Sequence, residues 1–246
     1  MGLQCVGLIS CSSPAGEIEP AVMLTFDDAY VSDWVGADSL FEKYGAKATF
    51  FVTHLHHLDS SDYAGLAFLQ GRGHEIGCHG LTHADPIAYM DSAGIRAYLV
   101  NEVDAALSIM REKGFEMRSF AFPFGNYTDE LCDSIHARGL FMRGADYNKT
   151  DIFHRKLRPF DELDIFLTKK DQSLATAMGI DSVYNNTMAL IAPGIERCRR
   201  DSLALVVYAH RISPSGGEYS VHPALIDSIL SAGSARGVRF PIFSNR

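Results

Sequence analysis

Short apolar runs alternate with longer stretches of helical periodicity along most of the chain. The apolar runs predict seven strands, which span residues 21 to 26, 48 to 52, 74 to 78, 119 to 122, 140 to 145, 203 to 209 and 238 to 243. Several of these runs, such as "LALVVYA", are apolar throughout, as is typical of strands covered on both faces. The pattern therefore predicts a largely buried sheet.

Helical periodicity and capping residues occupy the gaps between these strands. The helix "ADSLFEKYG" is predicted to end at Gly45, and one or two helices are predicted between Ile87 and Lys113. Thr128 is the predicted cap of a further helix that stops at Gly139. Strands and helices therefore alternate along the chain.

Repeated units of strand, helix and strand predict parallel strands joined by crossover helices. About seven such units indicate an α/β fold, either a (β/α) barrel or a doubly wound sheet. The segment from 161 to 200 interrupts the alternation and predicts a loop followed by a helix at "MALIAPGIERCRR". In either architecture, a ligand site collects at the carboxyl ends of the strands.

The composition is that of an ordinary globular domain, and it narrows the classes of partner. With 246 residues, 47% hydrophobic and 21% charged, residues 20 to 246 are predicted to form one domain after a polar tail, residues 1 to 19. The formal net charge is −8 and the longest basic run is Arg199-Arg200, which argues against nucleic-acid binding. No apolar stretch approaches the ~20 residues of a membrane span. We expect a neutral or cationic partner, and the oligomeric state stays open.

The amino-terminal tail has two interpretations. "VGLISCSSPAG" contains an apolar run that ends at Cys11 before small polar residues, and this resembles the lipobox of bacterial lipoproteins. A lipid anchor at Cys11 would hold the protein outside the cytoplasm. Against this, there is no basic region and only ten residues precede Cys11, so the alternative is a disordered tail. The five cysteines show no Cys-x-x-Cys spacing and predict neither a disulfide framework nor a thiolate metal site.

Two adjacent carboxylates, Asp27 and Asp28 in "LTFDDAY", follow the first predicted strand. Like charges in a poorly solvated place repel, so one of the two would become neutral unless a cation or solvent lies nearby. Consecutive side chains of a strand point to opposite faces, so one carboxylate can bind a metal while the other faces a reactant. The alternative is an acidic pair that caps the next helix.

The stretch "GHEIGCHGLTHAD" places three histidines around the third predicted strand. His79 and His83 are four residues apart, and with one carboxylate they would bind a divalent metal and leave positions open for water and substrate. A pair at this spacing also arises by chance on surface helices, so the acidic pair is what favours metal binding. His74 is predicted to be a structural hydrogen-bonding residue, and Cys78 is predicted to point into the core.

Two further segments follow predicted strands on the same rim. In "FAFPFGNY", Pro123 and Gly125 predict an unusual turn that can present N–H groups to an oxyanion. Phe124 and Tyr127 in the same segment offer flat faces to a sugar ring. In "LALVVYAHRIS", His210 is either a general acid or a satisfied structural histidine.

Three more histidines, His54, His56 and His57, follow the second predicted strand. Accessory metal binding is one interpretation of this cluster. A position along a substrate groove or in solvent is the favoured one.

The order and separations of "TFDDAY", "HEIGCHGLTH", "FAFPFG" and "VVYAH" resemble the successive motifs of the polysaccharide deacetylase family, carbohydrate esterase family 4. "YGAKATFFV", after the first motif, is also similar to that family, and the resemblance covers roughly residues 20 to 243. The first two motifs are specific, and the other two are much less so alone. The resemblance implies an irregular (β/α) barrel with seven strands, which agrees with the number of predicted strands.

The resemblance also implies a role for each motif residue. Asp28, His79 and His83 would be the ligands of a divalent metal, commonly zinc. Asp27 would be the general base, and it could stay ionised because the metal neutralises Asp28. Activated water would attack the carbonyl of an acetamide or acetyl ester on an acetylated polysaccharide. His210 would protonate the departing amine, so it should matter more for N-acetyl than for O-acetyl substrates.

Three departures from the family pattern bear on the site. Ala29 replaces the usual Gly after the acidic pair. Phe122 stands where Pro is common, and "FPFG" looks like the branch acting on poly-N-acetylglucosamine, whose members are often extracytoplasmic. The Arg that positions the base in many members is replaced by Ala121 or a neighbour, and Arg158 is our candidate for the missing cation.

The sequence therefore predicts a hydrolase that removes acetyl groups from an N-acetylated polysaccharide. The acidic partner of His210 is predicted to be one of Asp146, Asp151 and Asp161. Alternatives on the same fold are the hydrolysis of acetyl-xylan esters or of a small cyclic amide. A further alternative is a carbohydrate-binding protein that has lost catalysis, for which the missing Arg is the only support.

Overall fold

Seven parallel strands form a closed barrel, which confirms the predicted (β/α) barrel. The computed structural model describes residues 18 to 146 and 157 to 245. Its strands are β1 (Ala21–Asp28), β2 (Ala48–Val52), β3 (Glu75–Cys78), β4 (Ser119–Ala121), β5 (Phe141–Asp146), β6 (Phe166–Leu167), β7 (Leu174–Gly179), β8 (Ala204–Ala209), β9 (Arg211–Ile212) and β10 (Ser220–Val221). The barrel runs β1-β2-β3-β4-β5-β7-β8 and closes where β8 pairs with β1. β6 adds an antiparallel edge to β8, and β9 pairs with β10 beside the barrel mouth.

Helices cover the outside of the barrel. They are α1 (Val31–Gly36), α2 (Asp38–Lys43), α3 (Ser60–Gly71), α4 (Pro86–Ala93), α5 (Ile95–Tyr98), α6 (Ala105–Glu112), α7 (Asp129–His136), α8 (Met188–Asp201) and α9 (Pro223–Ser234). A π-helical turn, Leu99–Asp104, joins α5 to α6, and short 3-10 turns span Leu55–His57, Pro123–Gly125, Phe160–Glu162 and Ser182–Tyr184. Within the described ranges, no helix is both long and apolar enough to cross a membrane.

Alternation along β1 decides which side chains enter the barrel. Ala21 and Met23 belong to the small apolar cluster inside the barrel, whereas Val22 and Leu24 pack in the larger cluster between the strands and the helices. Because side chains alternate along a strand, Asp27 continues the inward series and emerges at the carboxyl end of the barrel. The strand pattern therefore places one of the two carboxylates at the mouth.

The seventh barrel strand is not the predicted one. Residues 238 to 243 do not form a barrel strand, because only Arg239 makes a β-bridge, to Ala21, and Pro241 has no N–H to donate. The seventh strand is β7, in the segment that was predicted to be a loop. Its sequence "LATAMG" is rich in Ala and Gly, residues that give a weak strand signal.

The carboxy-terminal segment closes the amino end of the barrel instead. Phe243 is fully buried and packs edge-on against Phe51 in the interior, with ring centroids 5.7 Å apart. Its N–H donates to Thr49 Oγ1 at 2.9 Å, and the N–H of Ser244 donates to a carboxylate oxygen of Glu75 at 2.9 Å. Side-chain and main-chain bonds therefore fix this segment across the barrel floor.

Several local predictions are confirmed. Thr128 caps α7 by accepting the N–H of Leu131, at 3.2 Å. His74 is buried; its Nδ1 accepts the N–H of Ala48 at 3.0 Å, and its Nε2 lies 3.0 Å from Asp38 Oδ1. Cys78 is fully buried in the core, and its burial raises its pKa to about 12. None of these residues has to be explained by the chemistry at the mouth.

Removing the Phe243 ring from the barrel interior should destabilise the protein. We expect Phe243→Ala to lower the free energy of unfolding by about 3–5 kcal/mol, because it leaves a cavity in a closed interior. Urea unfolding followed by circular dichroism measures this. Phe68→Ala is the matched control, because the Phe68 side chain is 46% exposed on α3. Equal losses in the two variants would show that the carboxy-terminal segment does not close the barrel.

Candidate active site

The two carboxylates at the end of β1 point in different directions because the backbone conformation changes at Asp28. Asp27 is 2% exposed and points into the barrel mouth. Asp28 has φ of +81°, a conformation that non-glycine residues rarely adopt, and its partly exposed side chain turns toward His79 and His83. Such strained backbone concentrates at functional sites. Both carboxylates therefore lie 3.9 Å from Nε2 of His79, but Asp28 is the one that also lies near His83.

Asp28, His79 and His83 converge on one point. Their potential ligand atoms all lie within 4.8 Å of one another, with Nε2 of His83 3.6 Å and Nε2 of His79 3.9 Å from Asp28 Oδ1. Nδ1 of His79 lies 2.8 Å from the carbonyl oxygen of Ala121, so it carries the proton in that bond. This leaves a lone pair on Nε2, the nitrogen that lies 3.9 Å from a carboxylate oxygen of each aspartate.

Two observations on the described residues test whether a metal fits here. Oδ1 of Asp28 is a buried oxygen that no donor of the described residues satisfies. Burial lowers the pKa of His79 to about 4, so its imidazole is neutral and able to act as a ligand. Two neutral imidazoles and one carboxylate form a donor set that suits zinc and other divalent ions. The residues therefore fit the metal that the sequence resemblance implied.

Arg143 on β5 is the cation that positions Asp27. The Arg143 guanidinium is buried, donates to both carboxylate oxygens of Asp27 and stacks over the ring of Tyr208, 5.0 Å from its centroid. Burial raises the pKa of Asp27, but the Arg143 charge outweighs it with help from His79, and the pKa lies below its usual range. Arg158 was the wrong candidate: its side chain is exposed, and Arg143 is the arginine that pairs with Asp27.

His210, just after β8, has an acidic partner that sequence reasoning missed. Its Nδ1 lies 2.6 Å from Asp181 Oδ2, and its main-chain N–H donates to Asp181 Oδ1 at 3.1 Å. Trp34 Nε1 fixes the same residue by donating to its carbonyl oxygen at 2.9 Å. Burial lowers the pKa of His210, but the bond to Asp181 and the charge of Asp27 outweigh it and raise the pKa.

Asp181, and neither Asp146 nor Asp161, is the acid bonded to His210 among the described residues. Asp146 ends β5, Asp161 lies in the turn Phe160–Glu162 beside α8, and Asp151 lies outside the described residues. Asp181 follows β7, so the acid was missed because its strand was missed. It lies just beyond the carboxyl end of β7, whereas Asp27 and Asp28 are the last residues of β1.

One open cleft of about 460 Å³ contains these groups. It is lined by Asp27, Asp28, Tyr30, His79, His83, Phe122, Phe124, Gly125, Arg143, Ala145, Val183, Tyr184, Tyr208, His210 and Tyr219. Phe124 and Tyr219 are 52% and 51% exposed, and they contact His83 and His210 respectively. The reactive groups thus lie at the base of an aromatic rim.

The third motif forms the wall of this cleft through a tight turn. Phe124 has φ of +57°, and Gly125 has φ of +70° and lies so near β5 that a Cβ there would be 2.7 Å from the Cβ of Ala145. Pro123 is buried. Tyr127 packs against Phe122, with ring centroids 5.1 Å apart. Of the four predicted substrate-binding residues, Phe124 and Gly125 therefore line the cleft, and Pro123 and Tyr127 support the turn.

The histidines after β2 lie beside Asp28, His79 and His83, the three potential metal ligands that we call the triad. The ring of His54 is half-buried, with its centroid 5.8 Å from that of His83. His56 and His57 are exposed. Within the described part of the chain, the one group of three potential metal ligands is Asp28, His79 and His83. A position at the edge of the cleft remains the interpretation of this cluster.

Comparison with known proteins identifies the family to which the chain belongs. The family model for polysaccharide deacetylases matches residues 16 to 142, just over half of the chain. The chain belongs to the polysaccharide deacetylase family, carbohydrate esterase family 4. A chitin deacetylase of Pestalotiopsis sp is 35% identical over 166 residues, which are 66% of this chain and 52% of that protein. The chain thus spans about half the length of that relative.

Solved structures of the family share the fold. The catalytic domain of a peptidoglycan N-acetylglucosamine deacetylase from Eubacterium rectale superposes with a TM-score of 0.56 at 20% identity, covering 94% of this chain and 90% of that one. A pseudoenzyme of carbohydrate esterase family 4 from Bacillus anthracis reaches a TM-score of 0.60 at 13% identity, covering 92% and 64%. These likenesses extend the barrel fold beyond the residues that the family model matches.

Arg143 shows how this member of the polysaccharide deacetylase family differs from the common family pattern. A signal for it was present, because an Arg inside the apolar run "LFMRGA" is rarely buried without a carboxylate partner. In the barrel, β5 places Arg143 on the inward face opposite β1. The cation thus comes from the strand that follows the third motif rather than from the motif itself.

Breaking the buried pair should destabilise the protein in a way that a second mutation repairs. We expect Arg143→Met to lower the free energy of unfolding by about 3–5 kcal/mol, because the Asp27 carboxylate stays buried without its partner. Arg143→Met/Asp27→Asn should recover most of that loss. Urea unfolding at pH 7 measures both, and Arg118→Met, at an exposed arginine, is the control. Strictly additive losses would contradict the pairing.

Proposed function

We propose that the protein is a metal-dependent hydrolase that removes acetyl groups from an N-acetylated polysaccharide, an N-acetylglucosamine polymer. The observation that carries the proposal is the pairing of two oriented groups across one cleft. Asp27 is held by Arg143 beside the triad, and His210 is held by Asp181 on the facing wall. A binding protein needs neither an oriented base nor an oriented acid.

Asp28, His79 and His83 are the residues that would hold the metal, and zinc is the divalent ion that we propose for this donor set. When bound, a divalent ion there would lower the pKa of a coordinated water and polarise a carbonyl group. The Ala121 carbonyl fixes the His79 tautomer that presents Nε2 to the ion. The role of the protein is to keep these three side chains in place.

Asp27 is the proposed base. Arg143 keeps its carboxylate ionised, and the His79 ring lies 3.9 Å from its Oδ2. The guanidinium also fixes the direction of the carboxylate, because it donates to both oxygens. Asp27 can therefore take a proton from water that attacks the acetyl carbonyl.

His210 is the proposed acid. Its Nδ1 bonds to Asp181, so Nε2 is the nitrogen that can deliver a proton to the departing amine. Carbon–nitrogen cleavage needs that proton because an amine anion is a very poor leaving group, whereas the alkoxide of an acetyl ester leaves more readily. The residue therefore favours N-acetyl substrates.

The lining of the cleft supports a sugar polymer as substrate. Its volume lies within the range of ligand sites, roughly 300–1,000 Å³, and its rim is open. Exposed aromatic faces at Phe124 and Tyr219 suit the apolar faces of sugar rings. The name of the chitin deacetylase relative points the same way.

We further propose an extracytoplasmic location with a lipid anchor at Cys11, a residue outside the described ranges, and residues 20 to 246 as one catalytic domain.

Acetate release tests the proposal directly. We expect release from N-acetylglucosamine oligomers or poly-N-acetylglucosamine that stops with a chelator and returns with Zn²⁺. Asp27→Asn should lower kcat by about 10²–10⁴-fold while the metal stays bound, because the base is lost and the three proposed metal ligands are unchanged. Acetylated xylan is the comparison substrate. No acetate release from either glycan by fully metal-loaded protein would overturn the proposal, and faster release from xylan would change the substrate class.

The bond between Asp181 and His210 predicts a change in pH dependence. The acid form of His210 exists below its pKa, so deacetylation should fall as the pH rises through a pKa above the ordinary value of about 6.5. Asp181→Asn removes the charge that raises this pKa, and the fall should move to lower pH. Profiles of kcat/KM against pH on an N-acetylated oligomer measure the shift.

Asp161→Asn serves as the control for this profile, because Asp161 was a sequence candidate for the same role and lies beside α8. Its profile should match that of the wild type. Tyr208 and Tyr219, which also face His210, are unchanged in both variants. If the fall in kcat/KM at high pH occurs at the same pH in Asp181→Asn as in the wild type, His210 is not the acid.

A further inference from the structure

A buried carboxylate lies behind the proposed metal site and has no role in the chemistry above. Glu102 is 3% exposed and sits in the π-helical turn between α5 and α6. Tyr98 and Ala106, four residues before and after it on the same helical stretch, are fully buried and belong to the core. Carboxylates are rarely buried in such a face without hydrogen-bonding partners. The position therefore needs a reason beyond packing.

The partner of Glu102 is the loop that connects the two histidines of the triad. Oε1 accepts the hydroxyl of Thr82 at 2.7 Å, and Oε2 accepts the main-chain N–H of the same residue at 2.9 Å. Oε2 also lies under Gly80, where an added Cβ would be 3.1 Å away. The carboxylate thus bonds to the residue before His83 and contacts the residue after His79.

This loop has a backbone that its surroundings must hold. Gly80 has φ of +77°, and His83 has φ of +63°, which is unusual for a residue other than glycine. The N–H of His79 donates to the carbonyl of Val52 at 2.9 Å, which anchors the start of the loop. The two bonds from Thr82 to Glu102 anchor its end, directly before the strained histidine.

The helix carrying Glu102 is itself distorted at that point. Ile95 to Glu112 run as one continuous helical stretch, and only Leu99–Asp104 widen to π geometry. A π turn adds a residue to the local repeat and often marks a functional site. Here it carries the carboxylate that the histidine loop needs.

We propose that Glu102 is a positioning residue that fixes His83 against Asp28 through Thr82. The inference rests on the proposed metal site. The carboxylate takes both donors of Thr82, which holds the backbone of His83 in its left-handed conformation with Nε2 3.6 Å from Asp28 Oδ1. Loss of these two hydrogen bonds leaves His79 in place but frees His83. The site therefore loses affinity for the metal, and the protein keeps its fold.

Metal affinity of the whole chain tests this inference. Titration of the metal-free protein with Zn²⁺ against a chromophoric chelator gives the Kd. Glu102→Gln keeps the size of the side chain but places an N–H group against a donor of Thr82, and we expect Zn²⁺ binding to weaken about 10–100-fold. Thr82→Val should weaken it in the same direction, and Thr82→Ser, which keeps both donors, should bind as the wild type does.

Asp104→Asn is the matched control, because Asp104 lies at the end of the same turn and pairs with Arg138 at the surface, 2.6 Å away. Its Kd should be unchanged. The absorption spectrum of bound Co²⁺ is a second readout, and it should change in Glu102→Gln and not in Asp104→Asn.

Each outcome separates this inference from the proposed function. Wild-type protein that binds no Zn²⁺ would overturn the proposed metal-dependent function. Wild-type binding together with unchanged Kd and Co²⁺ spectra in Glu102→Gln and Thr82→Val would overturn only the role of Glu102. If Glu102→Gln does not fold, the comparison of Thr82→Val with Thr82→Ser decides the question.

Discussion

The buried ion pair between Asp27 and Arg143 is the interaction on which the mouth of the barrel depends. Two charges inside a closed barrel are stable only when they are paired and hydrogen-bonded. Arg143 meets this requirement by donating to both oxygens of Asp27 while its flat face stacks on Tyr208. The pair belongs equally to the fold and to the proposed chemistry, because the same contact that satisfies the buried charge also orients the base.

Closure of the sheet is what makes this pairing possible. β1 and β5 are not neighbours in the barrel, yet their inward faces meet across the interior. In the strand register Arg143 lies between Ala121 of β4 and Ala175 of β7, whose small side chains take up little of the space beside it. The alanine-rich strand that gave so weak a sequence signal therefore has a physical purpose in the barrel.

The sequence predicted those parts of the site that lie next to each other in the chain. Asp27 and Asp28, and likewise His79 and His83, are short motifs after apolar strands, so their convergence follows from strand order alone. Arg143 and Asp181 come from positions that depend on barrel closure and on β7, which the pattern did not reveal. Local patterns carry no record of which inward-facing side chains meet across a closed interior.

The two buried acids of the cleft act in opposite ways because their partners differ. Asp27 faces an arginine that keeps its charge at any ordinary pH, so the carboxylate stays ionised and available as a base. Asp181 faces a histidine, so its negative charge instead holds a proton on the partner. Environments that separate the protonation of two groups in one cleft assign the base and the acid. That separation, rather than either residue alone, is what makes the cleft suited to breaking an amide bond.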